Sequence, residues 1–367
     1  MTTVAALMIP ASVQSGTLDG EEVTGPTSIS NGNFVIEGTF SDFDGGVFHI
    51  SASGTNVEIR NGIFENNSHT SDGGVFWISG RNINFTGDYT IFTGNSVPSE
   101  SGGPGGGAIK TFGGGFLTFD AEKTIFTGNT ARHGGAINMG GASLTFNKTA
   151  LFESNRSAGG VNSAININGG TLNIQPEAGY AFTLAGDNAI ATQSTSTINI
   201  GGAGLVNLYG GVKILYESVY NSMFQTKDGF TGTLVVGQKA VNAKTVNLTG
   251  GTVVFDLMNA TDGVVKGETP TGLLKAHGET ADDFSLTGAT LKLRARPIST
   301  ANADYYYELT KVNAGTTFTL ATAEDMSGYT PPATIADAED ADKIYTLNKA
   351  DNPSQTTHHT LSFSLRS

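Results

Sequence analysis

Cysteine is absent from this chain of 367 residues, so the sequence provides neither disulfide bonds nor thiolate ligands for a metal. Charged residues make up only 14% of the chain, and Lys and Arg form no runs. Because the net charge is −13, nucleic acid and anionic membranes are not expected partners. No apolar stretch approaches the ~20 residues of a transmembrane helix, so we predict no membrane-spanning segment.

Glycine, in contrast, is abundant, with 50 residues, and Thr, Ser and Asn are frequent. The hydrophobic fraction of 38% is large enough for a folded core and argues against disorder. Gly, Thr and Asn with few Lys and Glu disfavour long helices and favour strands that are joined by tight turns. The composition therefore predicts an all-β chain.

Two tetrapeptides alternate along the first half of the sequence. Phe-x-x-Asn occurs four times, at separations of 28, 34 and 26 residues, and a glycine pair followed by Val or Ala recurs at 28, 33 and 28 residues. A period of 20–50 residues is typical of stacked repeats. The first motif comprises Phe64, Asn67, Phe92, Asn95, Phe126, Asn129, Phe152 and Asn155; the second comprises Gly45, Gly46, Gly73, Gly74, Gly106, Gly107, Ala108, Ile109, Gly134, Gly135, Ala136 and Ile137.

A third segment lies between the two tetrapeptides and alternates apolar, polar and apolar residues. Examples are Leu117, Thr118 and Phe119, and the corresponding residues 144–146 one repeat later. This period of two residues indicates a strand with one buried face. Three short strands and three corners in each repeat predict a right-handed parallel β-helix, a solenoid with three strands per coil and irregular β caps.

Stacking of the coils predicts what the motif residues do. Strands that lie about 4.8 Å apart place equivalent side chains directly above one another. We therefore expect an internal stack of the motif phenylalanines and a ladder of the motif asparagines. We also expect the asparagines to adopt the left-handed backbone of a sharp corner, and the glycine pairs to give conformational freedom at the opposite bend. The motif residues are thus predicted to be structural.

Four parts of the chain are distinguished by their patterns. Residues 1–30 are an N-terminal cap or the remnant of a signal segment, since residues 4–9 are apolar but no basic region precedes them. Residues 31–200 form the parallel β-helix with the two motifs, and residues 201–300 form further β-helical coils. Residues 301–367 are predicted as an irregular β C-terminal cap, because a solenoid needs its ends covered.

The corner between Asn95 and Gly106 is longer than its counterparts, which explains the separation of 34 residues. Insertions in stacked repeats form loops, often on the binding face. The sequence therefore predicts a candidate binding loop, which consists of Ser96, Val97, Pro98, Ser99, Glu100 and Ser101.

Catalytic chemistry on a β-helix requires carboxylates that converge on one face. Three aspartates that precede glycine pairs are candidates for one shared corner, although Asp before Gly is also ordinary turn chemistry. Two glutamates hold equivalent places in their repeats but are separated by Thr93 and Thr127. The only tryptophan is either a surface aromatic for a sugar or protein, or a buried wedge. These candidates are Asp42, Asp44, Asp72, Glu65, Glu153 and Trp77, with Asp88, Asp120, Glu122, His49, His69 and His133 scattered around them.

None of these groups forms a recognisable constellation in the sequence, so we predict no catalytic, cofactor-binding or metal-binding residues and a protein that is not an enzyme.

The alternating tetrapeptides resemble the motifs of the chlamydial polymorphic membrane proteins, a family of autotransporter adhesins. The resemblance is carried by residues 106–109 and 134–137 for the glycine motif and by the four Phe-x-x-Asn copies, within about residues 45–165. It implies a β-helical passenger at the bacterial cell surface or outer membrane that attaches to a host-cell protein or glycan and self-associates. We expect an excised passenger or a secreted relative.

Two other function classes fit a parallel β-helix. One is a polysaccharide lyase or hydrolase, and the other is a structural protein that assembles into an envelope layer or filament. Converging carboxylates in a groove would favour the first, and concentration-dependent filaments would favour the second.

Overall fold

The computed structural model describes residues 7–8, 15–19, 27–29, 33–51, 56–98, 105–158, 163–214, 221–237, 239–256, 273–294, 317–338, 344–351 and 359–364. These residues form strands, tight corners and one 3-10 turn, Ala281–Asp283. Within these ranges, no helix has the length and apolar character needed to cross a membrane.

Alternation of buried and exposed side chains produces many short strands. In chain order, those of the first half are β1 (Leu7–Met8), β2 (Ser15–Asp19), β3 (Thr27–Ile29), β4 (Asn33–Ser41), β5 (Phe48–Ile50), β6 (Asn56–Glu65), β7 (Phe76–Ser79), β8 (Asn82–Thr93), β9 (Ile109–Phe112), β10 (Phe116–Phe119), β11 (Lys123–Thr127), β12 (Thr130–Ala131), β13 (Ile137–Gly140), β14 (Ser143–Phe146), β15 (Thr149–Glu153), β16 (Arg156–Ser157), β17 (Ser163–Asn168) and β18 (Gly170–Ile174).

The second half continues in the same manner. Its strands are β19 (Ala181–Leu184), β20 (Ala189–Thr192), β21 (Ser196–Ile200), β22 (Leu205–Leu208), β23 (Val212–Ile214), β24 (Ser222–Thr226), β25 (Thr233–Gly237), β26 (Val241–Ala243), β27 (Thr245–Asn247), β28 (Thr252–Asp256), β29 (Leu274–Ala276), β30 (Phe284–Ser285), β31 (Thr290–Arg294), β32 (Thr317–Ala323), β33 (Thr334–Asp337), β34 (Ile344–Asp351) and β35 (His359–Ser364).

Nearly all of these strands pair in parallel with a strand one repeat later along the chain. β9 pairs with β13 and β13 with β17, while β10 and β11 pair with β14 and β15. β8 pairs with both β10 and β11, which joins two rows of strands into one long sheet. The result is an all-β, solenoid-like fold with long parallel sheets, as the repeat predicts.

The interior is built on the predicted phenylalanine stack. Phe64, Phe92, Phe126 and Phe152 are fully buried, and neighbouring rings lie nearly parallel with centroids 4.6–5.0 Å apart. Phe40 extends the stack by one coil, although its tetrapeptide has a second Phe in place of Asn.

A second aromatic stack runs beside the first one. It consists of Phe85, Phe119 and Phe146, with centroids 4.3 and 4.4 Å apart. Offset or parallel rings at this spacing add to the apolar burial that dominates such a core.

The predicted asparagine ladder is present along one corner. Asn67, Asn95, Asn129 and Asn155 are buried, and each Nδ2 donates to the Oδ1 of the next asparagine at 2.9–3.1 Å. Each Nδ2 also donates to the carbonyl oxygen of the phenylalanine in the preceding coil, as Asn129 does to that of Phe92. The amide capacity of these side chains is therefore fully used, as buried polar groups require.

Asn188 continues the ladder beyond the last motif. Its Oδ1 accepts from the Nδ2 of Asn155, and its own Nδ2 donates to the carbonyl oxygen of Ala185. The sequence did not indicate Asn188, because the buried residue before it is Leu184 and the corner between them is one residue longer.

The left-handed residue of this corner is the one before the ladder asparagine, which corrects our expectation. Asn67, Asn95, Asn129 and Asn155 have ordinary φ angles, whereas the residue before each of them has φ between 53° and 64°. Asp42, which precedes Phe43 in the coil before, also has a left-handed φ, of 61°. At Asn188 the left-handed residue is Gly186, two positions earlier. An asparagine with bonds on both sides occupies a fixed backbone position, so the turn is made one residue earlier. These left-handed residues are Asp42, Asn66, Gly94, Gly128 and Ser154.

The glycine pairs are required mainly by close approach of backbone. A Cβ on Gly107 would overlap the carbonyl oxygen of Gly135 in the next coil, and a Cβ on Gly106 would overlap that of Ile109. Gly74 has the same relation to Gly107. Conformational freedom, the reason we expected, applies at Gly45, Gly46 and Gly134, whose φ angles are 111°, 77° and 59°.

The pairing changes at the C-terminal end. β32 still pairs in parallel with β29, but it also pairs antiparallel with β35. β34 pairs antiparallel with both β33 and β35. At the other end, β1 and β2 pair in parallel with β3 and β4.

Candidate functional site

The predicted binding loop lies only partly within the described residues. Ser96 forms single parallel bridges to Ser68 and Thr130, and Val97 is buried at 1% exposure. Both residues belong to the stacked corner, so Val97 packs inside the protein and is not displayed. Pro98 is exposed. Ser99, Glu100 and Ser101 lie outside the described residues, and their role stays a prediction.

Three of the predicted carboxylate candidates have separate structural partners. Asp44 accepts from the Ser68 hydroxyl at 3.2 Å, Asp72 pairs with Lys110 at 2.7 Å, and Asp120 accepts from Asn147 at 2.6 Å. The equivalence of Glu65 and Glu153 is confirmed, since both lie in one register row.

Asp88, Glu122 and the third histidine also make contacts with other residues. The backbone N–H of Asp88 donates to Asn61 Oδ1, and Glu122 accepts from the Tyr180 hydroxyl at 2.6 Å. His133 Nδ1 lies 3.1 Å from Gln193 Nε2. Within the described part of the chain, no three His, Asp or Glu side chains are arranged to hold a metal ion.

Two exposed phenylalanines mark a surface that the sequence reasoning missed. Phe112 ends β9 and Phe116 begins β10, with exposed fractions of 64% and 62%. Three glycines connect them, and we call residues 112–116 the aromatic corner. A Cβ on Gly113 or Gly114 would meet no atom within 4 Å, so this connection faces open solvent.

The coils on either side do not need aromatic residues here. Phe112 lies opposite Ser79 in the preceding coil, and Phe116 lies opposite Ser143 in the following one. Ser79 and Asn82 enclose two residues, and so do Gly140 and Ser143, whereas the aromatic corner encloses three. The corner therefore protrudes by one residue and displays two rings above small and polar neighbours.

The base of the aromatic corner is fixed by polar contacts. The backbone N–H of Phe116 donates to Asn82 Oδ1 at 3.2 Å. The Arg81 guanidinium donates to the carbonyl oxygens of Gly80 and Ser51 at 2.9 and 2.8 Å, and so joins two neighbouring corners. Phe116 is thus bonded to the preceding coil, and that coil is in turn bonded to the one before it.

The alternation of the sequence does carry a signal for this surface. Ile109 and Thr111 point inward, and so do Leu117 and Phe119, which places Phe112 and Phe116 at outward positions. A large apolar residue at two outward positions around a glycine run was the available indication.

Trp77 and two of the histidines come together elsewhere on the surface. His49, His69, Asp72 and Trp77 line a cleft of about 150 Å³ at the N-terminal end of the described coils. Trp77 is half-buried, so it is neither a fully exposed aromatic nor a buried wedge.

Comparison of the chain with protein-family models, curated proteins and solved structures gives no match. The resemblance to the polymorphic membrane proteins therefore depends on the alternating tetrapeptides alone.

Proposed function

We propose that this chain is a non-enzymatic adhesin passenger that attaches to a host-cell protein or glycan. It is displayed at the bacterial cell surface or outer membrane, or is secreted, as the resemblance to the polymorphic membrane proteins implies. We further propose that its solenoid is a right-handed parallel β-helix with three strands per coil. The aromatic corner is the surface that we assign to attachment.

The exposure of Phe112 and Phe116 carries the proposal. Burying a phenylalanine side chain is worth about 1.5–3 kcal/mol relative to leaving it in water. The equivalent residues Ser79 and Ser143 show that the coil forms without this exposed apolar area. A partner that covers both rings would gain the free energy that folding leaves unused, and rigid aromatic anchors dominate binding energy at interfaces.

The placement of the motif residues in the interior also supports a binding function for the outward residues. The motif residues are buried in the phenylalanine stack, the asparagine ladder and the glycine corners. Contact with a partner is therefore left to outward positions and to corners of variable length.

Cell binding tests this proposal directly. Labelled wild-type protein is expected to bind cultured epithelial cells saturably. Replacement of both aromatic-corner residues, Phe112→Ser with Phe116→Ser, should raise the half-saturating concentration by about tenfold or more, because two anchors are lost.

A matched control removes two other exposed apolar side chains, by Leu205→Ser with Met223→Ser, each 37% exposed in the wild type. This variant should bind as the wild type does. Absence of saturable binding by the wild type, or release of reducing ends from oligogalacturonides, would refute the adhesin. Equal binding by the aromatic-corner variant would refute the assigned surface.

A further inference from the structure

The cleft lined by His49, His69, Asp72 and Trp77, here called the Trp77 cleft, combines an aromatic ring with several polar groups. Parallel pairing of β3, β5, β7 and β9 places Ser28, His49, Trp77 and Lys110 in one row across the sheet. His69 and Asp72 come from the connection between β6 and β7. The scaffold thus gathers these side chains from four successive coils.

Trp77 is held in a defined orientation. Its ring contacts that of His49 with centroids 4.0 Å apart and planes at 89°, an edge-to-face arrangement. The indole N–H has no hydrogen-bond partner within the described residues and is not buried. It is therefore a donor that remains available to a ligand.

His69 offers a second available donor. Its Nδ1 accepts from the backbone N–H groups of Ser71 and Asp72 at 3.1 and 2.8 Å. Two donors at Nδ1 place the proton of the neutral ring on Nε2. No described residue accepts from Nε2, and partial burial lowers the pKa of His69, which keeps the ring neutral near pH 7.

Charge within the cleft is largely balanced. Asp72 Oδ1 is paired with Lys110 Nζ at 2.7 Å, and Asp44 adds a further negative charge near His69. Lys110 therefore does not act as a free cation. This environment disfavours an anionic ligand and suits a neutral one.

We infer that the Trp77 cleft binds one neutral pyranose unit at the end of a glycan. Its volume of about 150 Å³ is small, which suits one sugar ring better than an extended chain of sugars. A pyranose has an apolar C–H face for an aromatic ring and hydroxyls that both donate and accept. Trp77, the Nε2–H of His69 and the Asp72 carboxylate match these features.

This inference goes beyond the proposed function, because it concerns other residues than the aromatic corner and does not depend on attachment to cells. Its test uses soluble sugars only, so its failure is distinguishable from failure of the cell-binding experiment.

Tryptophan fluorescence provides a specific measurement, since Trp77 is the only tryptophan in the chain. The full chain is titrated with the methyl glycosides of glucose, galactose, mannose and N-acetylglucosamine, and with N-acetylneuraminic acid as the anionic comparison. At least one neutral glycoside is expected to give a saturable change with a Kd on the order of 1 mM. N-acetylneuraminic acid should bind at least about tenfold more weakly.

Two variants and one control complete the experiment. Asp72→Asn should weaken binding about tenfold, and Trp77→Phe, followed by saturation-transfer NMR of the sugar, should weaken it as well. The double replacement of Phe112 and Phe116 by Ser should leave it unchanged. Circular dichroism of each protein verifies that it is folded. The inference is overturned if no neutral glycoside saturates, if the anionic sugar binds as tightly, or if folded Asp72→Asn binds like the wild type.

Discussion

At the scale of single residues, Asn129 shows how much one side chain contributes to the solenoid. Its Oδ1 accepts from both the backbone N–H and the Nδ2 of Asn95 at 3.0 Å. Its Nδ2 donates to Phe92 O and Asn155 Oδ1 at 3.0 and 2.9 Å. All four bonds lie out of contact with water, so no solvent replaces them when the side chain is removed.

We predict that Asn129→Ala strongly lowers the melting temperature. The change leaves donors of Asn95 and the carbonyl of Phe92 without partners, and each such buried group costs about 1–3 kcal/mol. The control is Asn84→Ala, since Asn84 is exposed on the outer face of β8 and should tolerate replacement. Thermal unfolding followed by circular dichroism measures both, and equal melting temperatures would show that the ladder is not stabilising.

The asparagine ladder and the phenylalanine stack could be predicted from the sequence because the same residue types recur at each repeat. Sequence reasoning missed Phe40 and Asn188, where one half of the motif is replaced while the stacked position is kept. It missed Phe112 and Phe116 because it followed the repeated residue types and did not apply the alternation to the positions beside the glycine run.

At the scale of structural elements, the corners decide how closely the coils stack. Gly107 lies so close to the carbonyl oxygen of Gly135 and the backbone nitrogen of Thr130 that a Cβ atom has no room. The corner with Gly114 is built oppositely, with open space around it. The glycines at these two corners therefore serve different purposes. Gly107 is needed because a side chain has no room, whereas Gly114 is not required by close contacts.

This contrast gives a matched pair of substitutions. Gly107→Ala should destabilise by about 2 kcal/mol or more, because the backbone of the next coil must move. Gly114→Ala should change stability by less than about 0.5 kcal/mol. Thermal unfolding and limited proteolysis measure the two effects, and equal effects would contradict the role of close approach.

The existence of the strands and their parallel stacking could be predicted from alternation and period. Their pairing partners beyond residue 165, and the antiparallel pairs that β34 and β35 form, could not. The motifs end there, and the later coils stack through aliphatic rows such as Leu184, Leu208 and Val236. Rows of Leu and Val form no recognisable motif in the sequence, so the register of these strands is seen only in the structure.

At the scale of the whole molecule, three partly buried histidines make stability depend on pH. Burial lowers the pKa of His49, His69 and His133 below the ordinary value of about 6.5. The unfolded chain therefore binds protons more readily than the folded one. Stability is greatest above about pH 6.5 and is lost as the pH falls toward the folded values.

We predict that the melting temperature falls as the pH is lowered from 6.5 to about 5, and that His69→Asn makes this fall smaller, since it removes one group with a lowered pKa. Asn Oδ1 can accept the two backbone N–H groups that Nδ1 accepts, so the local bonds are kept. Scanning calorimetry across this range measures the slope, and an unchanged slope in the variant would contradict the assignment.

The Trp77 cleft is formed by residues that are distant in the sequence and become neighbours only when the coils stack. His49 and Trp77 are 28 residues apart, which equals one repeat, and register then makes them neighbours. His69 and Asp72 join them because the connection between β6 and β7 lines the same cleft.

The hydrogen bonds of the asparagine ladder do not depend on the number of residues in each repeat. The ladder makes the same pair of bonds across intervals of 28, 34, 26 and 33 residues. Each asparagine donates its backbone N–H and one N–H of its amide to the Oδ1 of the next asparagine, so every joint uses the same two donors and one acceptor. A whole coil can therefore be inserted, deleted or exchanged between two rungs without changing the joint. The ladder therefore keeps the same geometry in every coil, while the outward segments between its asparagines can vary in length and sequence.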